Sequence, residues 1–228
     1  MQAAELFTLP PSLARFAPFF KADDAPWAWV GRIADALAAL PWAEVARRND
    51  LPPNVFVRGS VYLHPSVKLP PYCVLEGPAW IGAETEIRPG AFVRGNVIVG
   101  EKCVLGNSCE YKNCLLLDGV QTPHYNYVGD SVLGNGAHLG AGATCANLRL
   151  DQQDVMVHTP AGRFSSGRRK LGALMGDGAE AGCNSVLQPG AILGRRAAVF
   201  PGVAFHGYLE PNTLAAFRVE IRRLPRPD

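Results

Sequence analysis

The chain has 228 residues, 48% of them hydrophobic and 18% charged, with a formal net charge of +2. That length admits one large domain or two small ones. The near-neutral charge argues against a general nucleic-acid-binding surface, and there is no apolar run of the roughly 18 residues that a membrane span requires. The start, Met1-Gln2-Ala3-Ala4-Glu5, lacks the basic region and apolar core of a secretory signal, which predicts a cytoplasmic protein.

Residues 1–50 read as a small N-terminal α-helical cap. Asp24 and Pro26 mark a helix start, and Trp27, Val30, Ile33, Ala34, Leu37 and Leu40 recur at helical spacing up to Pro41. This segment is predicted to cover the open end of the repeat region that begins at residue 51, because an uncovered sheet edge invites association. Trp27 and Trp29 are read as core anchors rather than ligand contacts.

From residue 51 the pattern changes. Val57, Leu63, Leu69, Leu75, Ile81, Ile87, Val93, Val99, Leu105, Tyr111 and Leu117 are six residues apart, and a second set of mostly smaller residues runs two residues ahead of each. This hexapeptide period is the signature of a parallel β-helix, in which each unit is a short strand and a turn. Three units make a coil, so residues eighteen apart stack. The fold prediction is all-β, a parallel β-helix of hexapeptide repeats over 51–208. The 24 Gly and 19 Pro would serve its corners. Tyr127, Leu133, Leu139 and Cys145 are read as continuing the inward series, and Met175 to Phe205 resume it. Breaks at 118–126 and 151–170 predict inserted loops, open between tolerated surface loops and functional ones. Residues 209–228 are predicted to form a C-terminal tail, either a short helix or extended.

Of the six cysteines, Cys73, Cys103 and Cys109 occupy small inward positions and Cys145 a large one, which predicts buried free thiols rather than disulfides. Arg94 and Lys112 each follow an inward residue and are eighteen apart, so they stack at one corner. Stacked cations suit a phosphate. A surface charge ladder that includes Glu76 is the other reading.

The chemistry-bearing stretches are His124-Tyr125-Asn126-Tyr127-Val128-Gly129-Asp130, Ala146-Asn147-Leu148-Arg149 and Ser166-Gly167-Arg168-Arg169-Lys170-Leu171-Gly172-Ala173. In these the chain resembles the acetyltransferase domain of bifunctional sugar-1-phosphate nucleotidylyltransferase/acetyltransferases, the archaeal type most. The resemblance implies a left-handed winding, a homotrimer with sites between subunits, and a CoA-dependent N-acetyltransferase acting on an amino-sugar 1-phosphate, linked to UDP-N-acetylglucosamine synthesis. Acetyl-CoA is then the cosubstrate, and no metal is expected. By the same resemblance His124 is the catalytic base and Asn147 contacts the amino sugar near the reacting amine, while Arg94, Lys112 and Tyr127 hold the sugar phosphate. Arg168, Arg169 and Lys170 are open between CoA contacts and a solvated loop end.

The chain departs from the family at Leu148, where bacterial members carry Tyr, and in Asp151 to Met156, which holds no lysine. Residues 1–50 contain no Gly-rich nucleotide loop, so a separate nucleotidylyltransferase is an expected partner. A non-catalytic sugar-nucleotide-binding or regulatory trimeric scaffold is the alternative function. A zinc-dependent carbonic anhydrase of the hexapeptide type would need three converging histidines, and the repeat map brings together only His124 and His138.

Overall fold

The computed structural model describes residues 1–45 and 48–217. The chain winds into a left-handed parallel β-helix of about nine turns. Its strands line up in three parallel sheets of eight, eight and seven strands. The first face runs from Asn54–Arg58 through Phe92–Arg94, Glu110–Lys112, Tyr127–Gly129 and Thr144–Cys145 to Ala204–Phe205. The second runs from Val61–Leu63 through Val97–Val99 and Cys114–Leu116 to Tyr208–Leu209, and the third from Glu86–Ile87 through Gln121–His124 to Leu214–Ala215. The core is the column of inward residues the period marks out, including Leu75, Ile81, Val93, Val99, Leu105, Leu139 and Leu187. Each loses its apolar surface to water on folding, which is the main drive for stacking.

The coil length is not constant, and this corrects the expected register. Up to Tyr111 the stacked partners are eighteen apart, as in Val93 over Tyr111. Tyr111 then pairs with Val128, and Val99 with Leu116, seventeen apart. Hence Leu116 rather than Leu117 is inward, and Val128 rather than Tyr127, whose side chain lies on the outer surface. The residues are lost at the corner between the first and second faces. There Gly95 and Asn96 of one coil give way to Asn113 alone in the next and to Asp130 alone in the one after. Asn113 and Asp130 both adopt the left-handed conformation, with φ of 46° and 48°. That conformation is open to Asn and Asp more than to other side chains.

Residues 118–126, expected as an inserted loop, remain in the coil. Gln121–His124 pairs in parallel with Val104–Asn107, and Val120 and Thr122 fill inward positions. The aliphatic pattern breaks there because a threonine takes the inward slot. Its hydroxyl bonds the Val104 carbonyl at 2.9 Å and the Tyr111 hydroxyl at 2.7 Å, so the buried polar group is satisfied. At 151–170 the chain does leave the stack: Met156–Thr159 and Gly162–Ser165 form an antiparallel hairpin, after which Leu174 pairs with Val132. At the C-terminal side the coil extends past 208, with Leu214–Ala215 still paired to Ala198–Val199. Residues 218–228, where the rest of the predicted tail falls, lie outside the described residues.

The N-terminal segment does not close the first coil. Its two 3₁₀ turns (Ala3–Glu5 and Pro11–Phe16) and helix α1 (Ala28–Ala38) lie along the outer side of the second face. Trp29, Val30, Ile33, Ala36 and Leu37 pack on a column of outward residues, Trp80, Ile98, Leu115, Val132, Leu174 and Ile192. The second face is thus apolar on both sides, as its continuous runs Val97-Ile98-Val99 and Cys114-Leu115-Leu116 require. The buried stripe includes Trp29, whereas Trp27 is only partly buried and stacks on Phe164 of the hairpin, with ring centroids 6.4 Å apart. Helix α1 starts at Ala28 without a side-chain cap, so Asp24 does not begin it.

Candidate active site

The two shortened corners build a polar column that a strict eighteen-residue map misses. Asn113, Asp130 and Asn147 are seventeen apart in sequence and stack at one corner. Asp130, only 3% exposed, takes a hydrogen bond from Asn113 Nδ2 at 2.8 Å and another from Asn147 Nδ2 at 2.6 Å. Lys112 Nζ lies 3.5 Å from its Oδ2. A buried carboxylate needs such partners, since an unpaired charge there would cost several kcal/mol, on the order of 3–5. An ionised carboxylate only accepts, so Asp130 forces the NH₂ side of both amides toward itself. Asn147 Nδ2 also donates to Tyr127 Oη at 3.1 Å.

The Tyr127 ring lies across the surface of Gly129. A Cβ at 129 would run into Tyr127 Oη and would sit 2.8 Å from Asn147 Nδ2, so glycine is needed for this close approach. Burial raises the Tyr127 phenol above its ordinary value, with the Asn147 hydrogen bond acting in the opposite direction. One coil below, Arg94 donates to Glu110 at 2.6 Å; this pairing holds the guanidinium firmly charged.

The site residues read from the sequence therefore separate into groups. Lys112, Tyr127 and Asn147 meet through Asp130 in one network, with Arg94 directly beneath Lys112 on the same wall. His124 does not join the network. It ends a strand of the third face, at the corner where the chain turns through Tyr125 (φ 52°) into the first face. That corner is pinned by Asn126, whose buried side chain accepts from the His124 backbone N–H and donates to the carbonyls of Gly140 and Ala143. The His124 imidazole is exposed and makes no hydrogen bond among the described residues. The strand Tyr127–Gly129 leads from that corner to Gly129, which stacks on Lys112.

Arg168, Arg169 and Lys170 diverge. Together with Gly167 and Asp130 they line an open cleft of about 530 Å³ beside the network. Arg169 bonds Gln152 Oε1 at 2.8 Å. Arg168 lies against helix α1, where a Cβ on Gly31 would come within 2.9 Å of its Nη1, and its buried Nε has no partner. Lys170 is exposed and bridges in antiparallel fashion to Leu148. Sequence reasoning missed Asp130, Asn113 and Asn126; the seventeen-residue spacing of 113, 130 and 147 was the signal that could have found the first two. His138 stacks with Gln121, three residues short of His124. Among the described residues no group of three or more His, Cys, Asp or Glu is disposed to hold a metal ion, and no helix is long and apolar enough to cross a membrane.

These features define a hexapeptide-repeat, left-handed β-helix protein with a polar site on one face. A family described as the GMPPB C-terminal domain matches residues 75–161. A bifunctional sugar-1-phosphate nucleotidylyltransferase/acetyltransferase of Sulfurisphaera tokodaii is 39% identical over 149 residues, which is 65% of this chain and 37% of that protein. The bifunctional protein GlmU of Methanocaldococcus jannaschii is 31% identical over 199 residues, 86% of this chain and 48% of that protein. A solved hexapeptide transferase family protein from Anaplasma phagocytophilum aligns over 68% of this chain and 80% of its own, at 16% identity and a TM-score of 0.33. The chain is related to the bifunctional nucleotidylyltransferase/acetyltransferases, and it spans less than half the length of these two curated relatives.

Proposed function

We propose that the chain is a CoA-dependent N-acetyltransferase whose acceptor is an amino-sugar 1-phosphate. The observation that carries this reading is the network of Lys112, Asp130, Asn147 and Tyr127 on a face bounded at its other edge by a free imidazole. An acceptor lying across that face would set its phosphate against Arg94 and Lys112, where a planar guanidinium and an ammonium offer charge-assisted hydrogen bonds. Asn147 Oδ1, which takes no hydrogen bond among the described residues, would accept from the acceptor's amine and orient its lone pair.

The amine must lose a proton as it attacks, and the exposed His124 imidazole would take it. The nitrogen forms a bond to the thioester carbonyl carbon, the C–S bond breaks, and the proton passes from His124 to the departing CoA sulfur. Backbone N–H groups at a coil corner would stabilise the oxyanion. Arg168, Arg169 and Lys170, beside the same corner, would meet phosphates of the acyl donor. The Sulfurisphaera tokodaii relative, whose name carries both activities, supports acetyl transfer; assembly as a trimer, with a separate nucleotidylyltransferase as partner, belongs to the same proposal.

The test follows free thiol on mixing the protein with acetyl-CoA and glucosamine 1-phosphate or galactosamine 1-phosphate. Release that His124→Ala reduces at least about 100-fold supports the enzyme. No release with either acceptor, together with tight binding of a sugar nucleotide, would establish the scaffold reading instead.

A further inference from the structure

The hairpin at Met156–Ser165 folds back over the last coils and borders an open pocket of about 390 Å³. His158 and Arg163 are directly opposed in the hairpin, so both project from the same side of it. Facing them is His206, on the coil that closes over Gln188; its ring lies nearly parallel to that of His158, at 17° and 6.3 Å between centroids. Gly207, in the left-handed conformation at φ 86°, lies beside the hairpin next to His158. Arg149 and Gln188 complete the polar lining, and Met156, Pro189 and Ala204 form an apolar wall.

The lining thus holds two guanidinium groups, two imidazoles and a carboxamide, and no carboxylate. Arg149 has its charge answered by Asp151. Arg163 makes no ion pair among the described residues. Arg163 thus brings a guanidinium without an acidic partner among the described residues, and the imidazoles and the Gln188 carboxamide set further N–H groups beside it. Their geometry suits phosphate, which accepts forked hydrogen bonds from arginine. The apolar wall suits an organic body attached to it.

We propose that this pocket is a binding site for an organic phosphate ester, held by Arg163, His158, His206 and Arg149. It is separate from the acceptor corner: Gln188 stacks over Ala146 and His206 over Gln188, which puts it two coils along the same edge, ~10 Å away. It also stands apart from the acetyl-transfer reading, since its test reads binding rather than turnover. The phosphate has two possible sources, the nucleotide end of an acyl-thioester donor or a free sugar phosphate.

Isothermal titration with adenosine 3′,5′-bisphosphate and with glucosamine 1-phosphate distinguishes them by which binds more tightly. Arg163→Ala and His206→Ala, both at exposed positions, are each expected to weaken binding of the preferred compound about tenfold, as loss of a charge-assisted hydrogen bond implies. Both are read in a Lys112→Ala background, which takes away the phosphate contact of the proposed acceptor corner, and Lys68→Ala in that background should leave the affinity within about twofold, because additivity holds for distant sites. Binding that survives both pocket substitutions in that background overturns the assignment, as does failure of both compounds to bind. Unchanged thermal unfolding of the two pocket variants excludes loss of fold as the cause.

Discussion

Replacing Asp130 with alanine removes the acceptor at the centre of the polar column. Two short hydrogen bonds end on its carboxylate, from Asn113 and Asn147, and Lys112 lies 3.5 Å away. A hydrogen bond to a charged group contributes about 1.5–3 kcal/mol, so the two together set an upper range of roughly 3–6 kcal/mol. Water can reach the partly exposed Asn113, Lys112 and Asn147 once the carboxylate is gone, which puts the expected loss near the lower bound, about 3 kcal/mol. For a chain of this size that lowers the midpoint of thermal unfolding by roughly 6–12 °C. Asp130→Asn keeps the volume and one acceptor oxygen but sets an NH₂ against one of the asparagine donors, so about half that loss is expected. Unfolding followed by circular dichroism measures both. A double-mutant cycle of Asp130→Ala with Asn147→Ala should show a coupling of about 1–2 kcal/mol, as for residues in one network. An alanine variant within about 1 °C of the wild type would refute the claim that Asp130 organises this corner.

Tyr111→Phe should cost about 1–3 kcal/mol, because the buried hydroxyl of Tyr111 bonds Thr122 and accepts from the Gly106 N–H; adding Thr122→Val should recover part of that loss, read as the urea midpoint. Ellman's reagent should titrate one thiol per native chain, Cys183, and six after denaturation. The other five are buried, and burial pushes Cys73 up to about 11 and Cys103 and Cys145 up to about 12, which removes the reactive thiolate. Deleting residues 1–45 should uncover the column from Trp80 to Ile192 and produce association visible by light scattering; a monodisperse truncated protein at unchanged oligomeric size would contradict the packing of the cap.

The solenoid was legible because its inward slots are filled by residues of matched size at a fixed interval, and nothing but stacking explains that interval. Where the interval changed, reading failed for identifiable reasons. A polar Thr122 in an inward slot looked like a loop, since its hydroxyl is satisfied by Tyr111 and the Val104 carbonyl rather than by water. The corners at Asn113 and Asp130 each dropped a residue, which turned Tyr127 outward and brought Val128 in. The pairing of Arg94 above Glu76 and below Lys112 was readable because it precedes both shortened corners. The seat of the N-terminal segment was encoded in apolar outward residues such as Trp80 and Ile98, eighteen apart, but a search for inward positions passes over them. The pocket under the hairpin was not readable at all: the insertion carries His158 out of the period, and only the folded chain sets it beside His206.

The central claim is that His124 and Lys112 act on opposite ends of one acceptor lying across the same face. Steady-state kinetics with glucosamine 1-phosphate as the varied substrate tests it. Lys112→Ala should raise KM about 10- to 100-fold with kcat little changed, since a phosphate contact worth about 1.5–3 kcal/mol is made in ground state and transition state alike. His124→Ala should lower kcat about 100-fold or more with KM nearly unchanged. A Lys112→Ala variant with wild-type KM, or a His124→Ala variant with wild-type kcat, would contradict the account.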